Sequence, residues 1–404
     1  QYWDWSNKLD LGYFSKPPLI AWLISFSTLI FGDEEWAVRL FSPIIHLFIS
    51  IVLWSCSNSI YGPKAGSLTA IIWITLPATS LGSFLISTDT PVLFFWSLGL
   101  LSLIKIIKNG NLFWVILLGI TAGLGFLAKY AILYFIILMI IFFLVHYKNK
   151  ILNTSSLIIF LIIFFIIISP NIIWNLQNKL STFNHTIYNA DISGFNLNIY
   201  EALIFVSSQF LVFGPLLFLI FIINVWKFFF EKTELSLLAY FSITILLILV
   251  LQAILKTANA NWAITAYPAA CIIISSIILI RKSTFTKFII STGILINIII
   301  SIFVLKVSIT GDLYPISLES DPLRKLKGYE KQAILIHKLI EEEKPISILY
   351  DRRNEITKFS YYLNRNNLEF YERFYISDNE RAVNHYDQFY NFSENNLKSD
   401  DPII

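Results

Sequence analysis

Charge is what this sequence has least of: 14% of its 404 residues are Asp, Glu, Lys or Arg. A soluble globular domain carries about 25%, so that class is excluded and the chain reads as an integral membrane protein. Its net charge of +3 is small and scattered, which excludes a nucleic-acid partner. It has two cysteines, Cys56 and Cys271, both in apolar runs, so neither a disulfide framework nor a metal-binding pattern is present. They read as packing residues. A G-x-G-x-x-G motif and a P-loop are both missing, which argues against a nucleotide-sugar donor in a soluble domain. There is no internal repeat and no low-complexity linker. Position 1 is Gln, no signal-peptide pattern follows, and the chain opens inside a polar loop. The expectation is a fragment that lacks an N-terminal helix.

What is abundant is apolar and aromatic. Hydrophobic residues make up 56% of the chain, with 35 Phe and 11 Trp. That suits a lipid-embedded bundle with aromatic residues at its interfaces. A spanning helix needs about 20 apolar residues. Ten spans are expected, near 38–57, 65–86, 91–107, 112–128, 131–146, 155–174, 199–226, 235–255, 262–280 and 285–307. One set of alternate loops carries Lys64, Lys105, Lys108, Lys148, Lys150, Lys227, Lys232, Arg281, Lys282 and Lys287. The other carries Asp89, Lys129, the 171–198 loop with Lys179, and 256–261. The positive-inside bias makes the first set cytoplasmic. Residues 1–37 are then an outer loop, 38–307 the bundle, and 308–404 an outer tail.

Residues 17–31 are apolar but short and begin Pro-Pro, which suits an interfacial helix with the prolines in its first turn. The tail alternates a helical pattern at 331–340, a β-like run at 346–350 and another helical stretch at 354–363. It reads as a small C-terminal α/β domain on the outer face. The fold class is therefore an all-α polytopic membrane bundle with that domain appended.

Polar groups gather at the outer face, where ionisable residues of an apolar protein are functional candidates. Lys16 can bind a lipid phosphate or snorkel at the interface. Asp89, in STDTP, is either a helix N-cap or a carboxylate ordering a sugar hydroxyl or a cation. Lys129 calls for an anionic partner, a lipid phosphate or a structural carboxylate. Gly123 and Gly125, in the same stretch, let helices approach closely. Arg39 can pair locally with Glu34 and Glu35, or fork onto phosphate. Trp174 and Asn175 open the long outer loop. Asn261, Trp262 and Tyr267 lie in KTANANWAITAY. Together with Tyr2, Trp3 and Tyr13, these aromatic and amide groups can grip a sugar or form an interfacial belt. His185 has no partner at a metal-ligand spacing, and His46 and His146 read as structural.

The ordered set YWDWS, GYFSKPPLIAW, AVRL, STDTPVLFFW, GLGFLAKY, PNIIWN, ANWAITAYP and DPLRKLKGY resembles bacterial family 39 glycosyltransferases. These are the aminoarabinose-transferase-like and dolichyl-phosphate-mannose mannosyltransferase-like membrane enzymes. The resemblance implies a GT-C bundle in a bacterial inner membrane. It implies transfer of a sugar from a polyprenyl phosphate to a lipid, glycan or protein acceptor at the outer face. It gives Lys16, Lys129 and Arg39 to the donor phosphate and makes Asp89 the second acidic position. It requires no cofactor and leaves a divalent metal open. The family's acidic pair, the first of which is its general base, precedes the Tyr-Trp that is Tyr2-Trp3 here, so it falls outside this sequence. Asp4 aligns with a variable position. A transporter or flippase of a lipid-linked sugar is the competing reading, and it predicts helices broken at the membrane midplane.

Overall fold

The computed structural model describes residues 1–146, 154–190, 197–231, 233–311, 327–343, 347–350, 352–365, 372–375 and 385–386. Almost all of them are helical. The chain divides into two compact units. One joins Gln1–Val38, Asn171–Ala190 and Thr310–Ile404; the other joins Arg39–Pro170 and Asp191–Ile309.

The second unit is an apolar bundle. Among the described residues, six helices are long and apolar enough to cross a membrane: Glu35–Tyr61, Asp89–Asn109, Thr154–Gln177, Glu234–Leu255, Ala260–Arg281 and Thr284–Thr310. Side chains such as Ile166, Leu211 and Ile302 are largely exposed on these and neighbouring helices. A water-facing surface would not carry so much contiguous apolar area, whereas lipid accepts it. The protein is a multi-pass membrane protein.

Two of the ten expected spans are broken helices. Residues 65–86 form two helices, Pro63–Thr75 and Pro77–Phe84, bent by 60°. Residues 199–226 form Ile199–Val212 and Pro215–Phe229, bent by 113°. If each pair is one span, the count reaches eight. Leu112–Ala128 and Ile132–His146 have only 17 and 15 residues.

Both breaks follow from proline chemistry. Pro77 and Pro215 lack the N–H that would continue the preceding helix. The carbonyls left over find other donors. Ser301 Oγ donates to the Thr75 carbonyl at 3.2 Å. Asn297 Nδ2 donates to the Phe213 carbonyl at 3.1 Å. Gly214, at φ +96°, supplies the left-handed turn. Pro170 is different, because it sits inside Thr154–Gln177 without ending it. Ser169 Oγ donates to the Ile166 carbonyl at 2.9 Å, the group that the proline leaves unpaired. The expected outer loop from 171 is therefore helical through Gln177, and a second helix follows at Ser181–Ala190.

Inside the bundle, the helix Asp89–Asn109 packs Trp96 against Phe135 and Phe241, at ring separations of 5.1 and 6.1 Å. Gly99 admits Phe135, since a Cβ there would lie 2.6 Å from the ring. Gly123 and Gly125 lie against Ile167 and Ile132, as close helix packing requires. Buried hydroxyls link helices across the core, with Thr69 Oγ1 and Ser275 Oγ 2.6 Å apart.

In the first unit, the apolar helix runs Leu19–Phe31. Pro18 caps it rather than entering its first turn. Tail helices run Tyr329–Glu343 and Arg353–Arg365. The strand Ser347–Tyr350 pairs in parallel with Glu372–Tyr375, with Ser347 opposite Glu372. Residues 321–326 of the DPLRKLKGY motif lie outside the described residues.

Candidate active site

The sequence candidates fall into two clusters, one in each unit. In the bundle, Asp89 is the first residue of its helix, where the positive end of the dipole favours a carboxylate. Thr88, not Asp89, holds the cap position. Lys129 follows the last residue of Leu112–Ala128 and is extended. Its Nζ lies 2.5 Å from Asp89 Oδ1. Asn261 Nδ2 donates to Asp89 Oδ2 at 2.9 Å. Three segments far apart in sequence thus converge on one half-buried carboxylate. Of the two partners expected for Lys129, the structure contains the carboxylate.

Trp262 is half-buried beside Asn261. Tyr267 is fully buried, and its hydroxyl donates to Gln209 Oε1. Gln209 Nε2 reaches back to the Phe205 carbonyl at 2.9 Å and the Ala260 carbonyl at 3.4 Å. This glutamine has no motif around it, and sequence reasoning missed it. A lone Gln in an apolar run is its only signal. Arg39 is exposed at the end of Glu35–Arg39. Glu34 and Glu35 also meet a distant cation: Arg365 lies 2.8 Å from Glu34 and 4.0 Å from Glu35.

In the first unit, Tyr2–Ser6 forms a short helix whose Trp3, Asp4, Trp5 and Ser6 are buried. Trp3 Nε1 donates to Asp33 Oδ1 at 2.7 Å, and its ring meets Tyr361 edge-on. Tyr2 packs partly buried against Trp5, with ring centroids 5.4 Å apart. Trp5 and Tyr13 stack 4.6 Å apart and nearly parallel, at 3°. Burial pushes the Tyr13 hydroxyl pKa up, and that hydroxyl lies 3.0 Å from the Trp5 carbonyl. Asp4 accepts from the Tyr386 hydroxyl at 3.0 Å.

Lys16 is half-buried and forms a β-bridge with Tyr13. Phe14, between them, meets His185 at 5.3 Å. His185 is pushed down to about 4 by burial, helped by the charges of Lys16 and Arg353. Trp174 and Asn175 are both buried. Trp174 packs on Gly12, and Asn175 Nδ2 donates to the Asn171 carbonyl at 3.0 Å. Asp33, Tyr361, Arg365, His385 and Tyr386 escaped the sequence reading, since each meets its partner across 30 to more than 300 residues. Among the described residues no three His, Cys, Asp or Glu side chains form a metal-holding group.

The fold is of the GT-C type. Its likeness to ArnT from Cupriavidus metallidurans bound to undecaprenyl phosphate has a TM-score of 0.61 at 15% identity, covering 90% of this chain and 69% of that one. The archaeal oligosaccharyltransferase AglB from Archaeoglobus fulgidus matches with a TM-score of 0.53 at 12% identity, covering 90% and 55%. Residues 15–174 match the family model of dolichyl-phosphate-mannose-protein mannosyltransferase, so the resemblance read from the motifs holds. Among curated proteins, the lipid A galacturonosyltransferase RgtD of Rhizobium johnstonii is 34% identical over 276 residues, covering 68% of this chain and 58% of that protein. The undecaprenyl phosphate-alpha-4-amino-4-deoxy-L-arabinose arabinosyl transferase of Wigglesworthia glossinidia brevipalpis is 29% identical over 136 residues, covering 31% and 24%. The chain thus spans at most 58% of the length of these curated relatives.

Proposed function

We propose that this protein is a glycosyltransferase that moves a sugar from a polyprenyl-phosphate donor to a lipid, glycan or protein acceptor at the outer face of a bacterial inner membrane. The observation that carries the reading is the 34% identity to a lipid A galacturonosyltransferase over 276 residues. The Lys/Arg loop alternation supports the orientation, with residues 1–37 and the tail 308–404 outside. The parallel pairing of 347–350 with 372–375, joined through a helix, supports a small α/β domain in that tail.

The chemistry asks mainly for placement and charge. An acceptor hydroxyl attacks the anomeric carbon, its proton passes to a carboxylate, and the bond to the lipid phosphate breaks with both electrons going to the phosphate. Cations near that phosphate stabilise the charge left on it. Lys16, Lys129 and Arg39 take this part in the proposal. Asp89, with Lys129 and Asn261 on its two oxygens, serves as the second acidic position and orders Lys129. Tyr2, Trp3, Tyr13, Trp174, Asn175, Asn261, Trp262 and Tyr267 shape the substrate region, directly or by supporting it. No resident cofactor is required.

The bent pair at Gly214 favours a transporter reading, because broken helices form translocation sites in many carriers. A transfer assay separates the two. The full chain in liposomes is given radiolabelled polyprenyl-phosphate sugars and lipid or glycan acceptors, beside Lys16→Ala and Lys129→Ala. Label reaching the acceptor, lost in both variants, supports the glycosyltransferase. Label that crosses the bilayer without transfer establishes the transporter instead.

A further inference from the structure

Lys16 stands at the end of a turn that several contacts hold. The Tyr13 N–H donates to the Lys16 carbonyl at 3.1 Å. The Tyr13 carbonyl accepts from Thr182 Oγ1 at 2.6 Å, from a helix more than 160 residues away. The Tyr13 ring lies flat on Trp5, and its hydroxyl accepts from the Asp10 N–H at 3.1 Å. A residue of the tail also meets this stack. His385 meets Trp5 at 5.4 Å and Tyr13 at 6.3 Å. Its neighbour Tyr386, fully buried, donates to Asp4, which is itself only 4% exposed. Asp4 adjoins Trp5 in the chain, so the hydrogen bond fixes the base of the stack.

We infer that Asp4 and Tyr386 are positioning residues that set the place of Lys16 for a lipid phosphate. The inference rests on the reading of Lys16 as the donor-phosphate cation. A buried carboxylate that accepts a tyrosine hydroxyl serves as a fixed acceptor. It is poorly placed to take a proton from an acceptor substrate. Asp4 therefore acts through Trp5 and Tyr13 on Lys16 and does not touch the reacting atoms.

The two roles separate by substitution. Asp4→Asn keeps an oxygen that the Tyr386 hydroxyl can donate to, whereas Asp4→Ala and Tyr386→Phe remove the bond. The full chain and these variants are titrated with undecaprenyl phosphate and assayed for transfer, with Lys16→Ala alongside. Tyr386→Phe and Asp4→Ala are expected to weaken lipid-phosphate binding and raise the donor KM about fivefold to tenfold, the worth of one buried hydrogen bond. Their kcat stays within about twofold, and Asp4→Asn restores most of the binding. Thr182→Val, which releases the other side of the turn, shifts donor KM in the same direction and guards against a misfolded Asp4 variant.

Two results overturn the inference. One is native binding and KM in Tyr386→Phe, Asp4→Ala and Thr182→Val. The other is a kcat loss of about a hundredfold or more in Asp4→Asn with binding intact, which would mark Asp4 as the general base. Unchanged undecaprenyl-phosphate binding in Lys16→Ala is a different failure, since it removes the donor-phosphate reading itself.

Discussion

The Asp89–Lys129 pair offers the sharpest test of the bundle. Lys129→Met keeps most of the side-chain length and deletes the charge, leaving Asp89 with Asn261. The cost lies between two measured regimes. Exposed ion pairs contribute about 0.2–1 kcal/mol, and removing one partner from a buried pair costs about 3–5 kcal/mol. Here both side chains keep some exposure, 21% for Lys129 and 17% for Asp89. We therefore expect about 2 kcal/mol for Lys129→Met. Asp89→Asn should cost less, about 1 kcal/mol, since an amide still accepts from Asn261 and the Lys129 stem can extend toward water.

The double variant should be more stable than the sum of the single losses implies, with a coupling of about 1–2 kcal/mol. Reversible denaturant titration in mixed micelles, read by tryptophan fluorescence, measures all four corners of the cycle. A coupling within about 0.3 kcal/mol of zero would refute the pair. So would a Lys129→Met protein as stable as the native one. The pair also bears on function. If Lys129 leaves Asp89 for a lipid phosphate, undecaprenyl phosphate should stabilise the native protein more than Lys129→Met.

Three further outcomes follow from particular contacts. Gly12→Ala should destabilise the first unit by about 1–3 kcal/mol, because its Cβ would press into the Trp174 ring and lie 2.9 Å from Asn171 Nδ2; proteolysis near residue 12 that does not increase would refute this. Gly214→Ala should cost at least as much, since φ is +96° and Asn297 fills the space where the methyl would go; an unchanged unfolding midpoint would show that the bend is soft. The first unit should also weaken in acid. His185 and His385 are each pushed down to about 4, chiefly by burial, with Arg353 opposing protonation of both and Asp4 favouring it in His385. An unfolded histidine titrates near 6.5. Their neutral forms thus contribute stability that is complete above about pH 6.5 and is lost as pH falls from there toward 4. Limited proteolysis of the full chain at pH 7.5, 6 and 5 measures the loss, and His185→Gln with His385→Gln should flatten it.

Much of the bundle was legible because lipid imposes one rule on long segments. Apolar runs of the right length at 91–107, 155–174, 235–255 and 285–307 all lie within single helices. The breaks at 76–77 and 213–215 were also written locally, as proline after an apolar helix, but hydropathy averages over a window and hides them. The Asp89–Lys129–Asn261 convergence was half legible. Each residue stood out as polar in an apolar setting, yet nothing local says that the three face one another.

The first unit resisted reading for a different reason. From sequence, its aromatic residues suit either a sugar grip or an interfacial belt, because Trp and Tyr offer an apolar face and a polar edge. A protein interior with a few acceptors offers them the same accommodation. Trp3 finds Asp33 and Tyr13 finds the Trp5 carbonyl, as Tyr267 in the bundle finds Gln209, so these three polar edges are already committed within the fold. Residue type alone does not separate a sugar platform from a buried scaffold; the separation comes from what the polar edge bonds. Lys16 is the complementary case. Its charge drew attention from sequence, while Thr182, which bonds the Tyr13 carbonyl, and Tyr386, which bonds Asp4 beside Trp5, lie in segments with no motif. Local pattern reveals a charge brought to a membrane surface. The contacts that place it come from chain segments whose proximity only the fold creates, and the Tyr386→Phe and Thr182→Val variants probe those contacts directly.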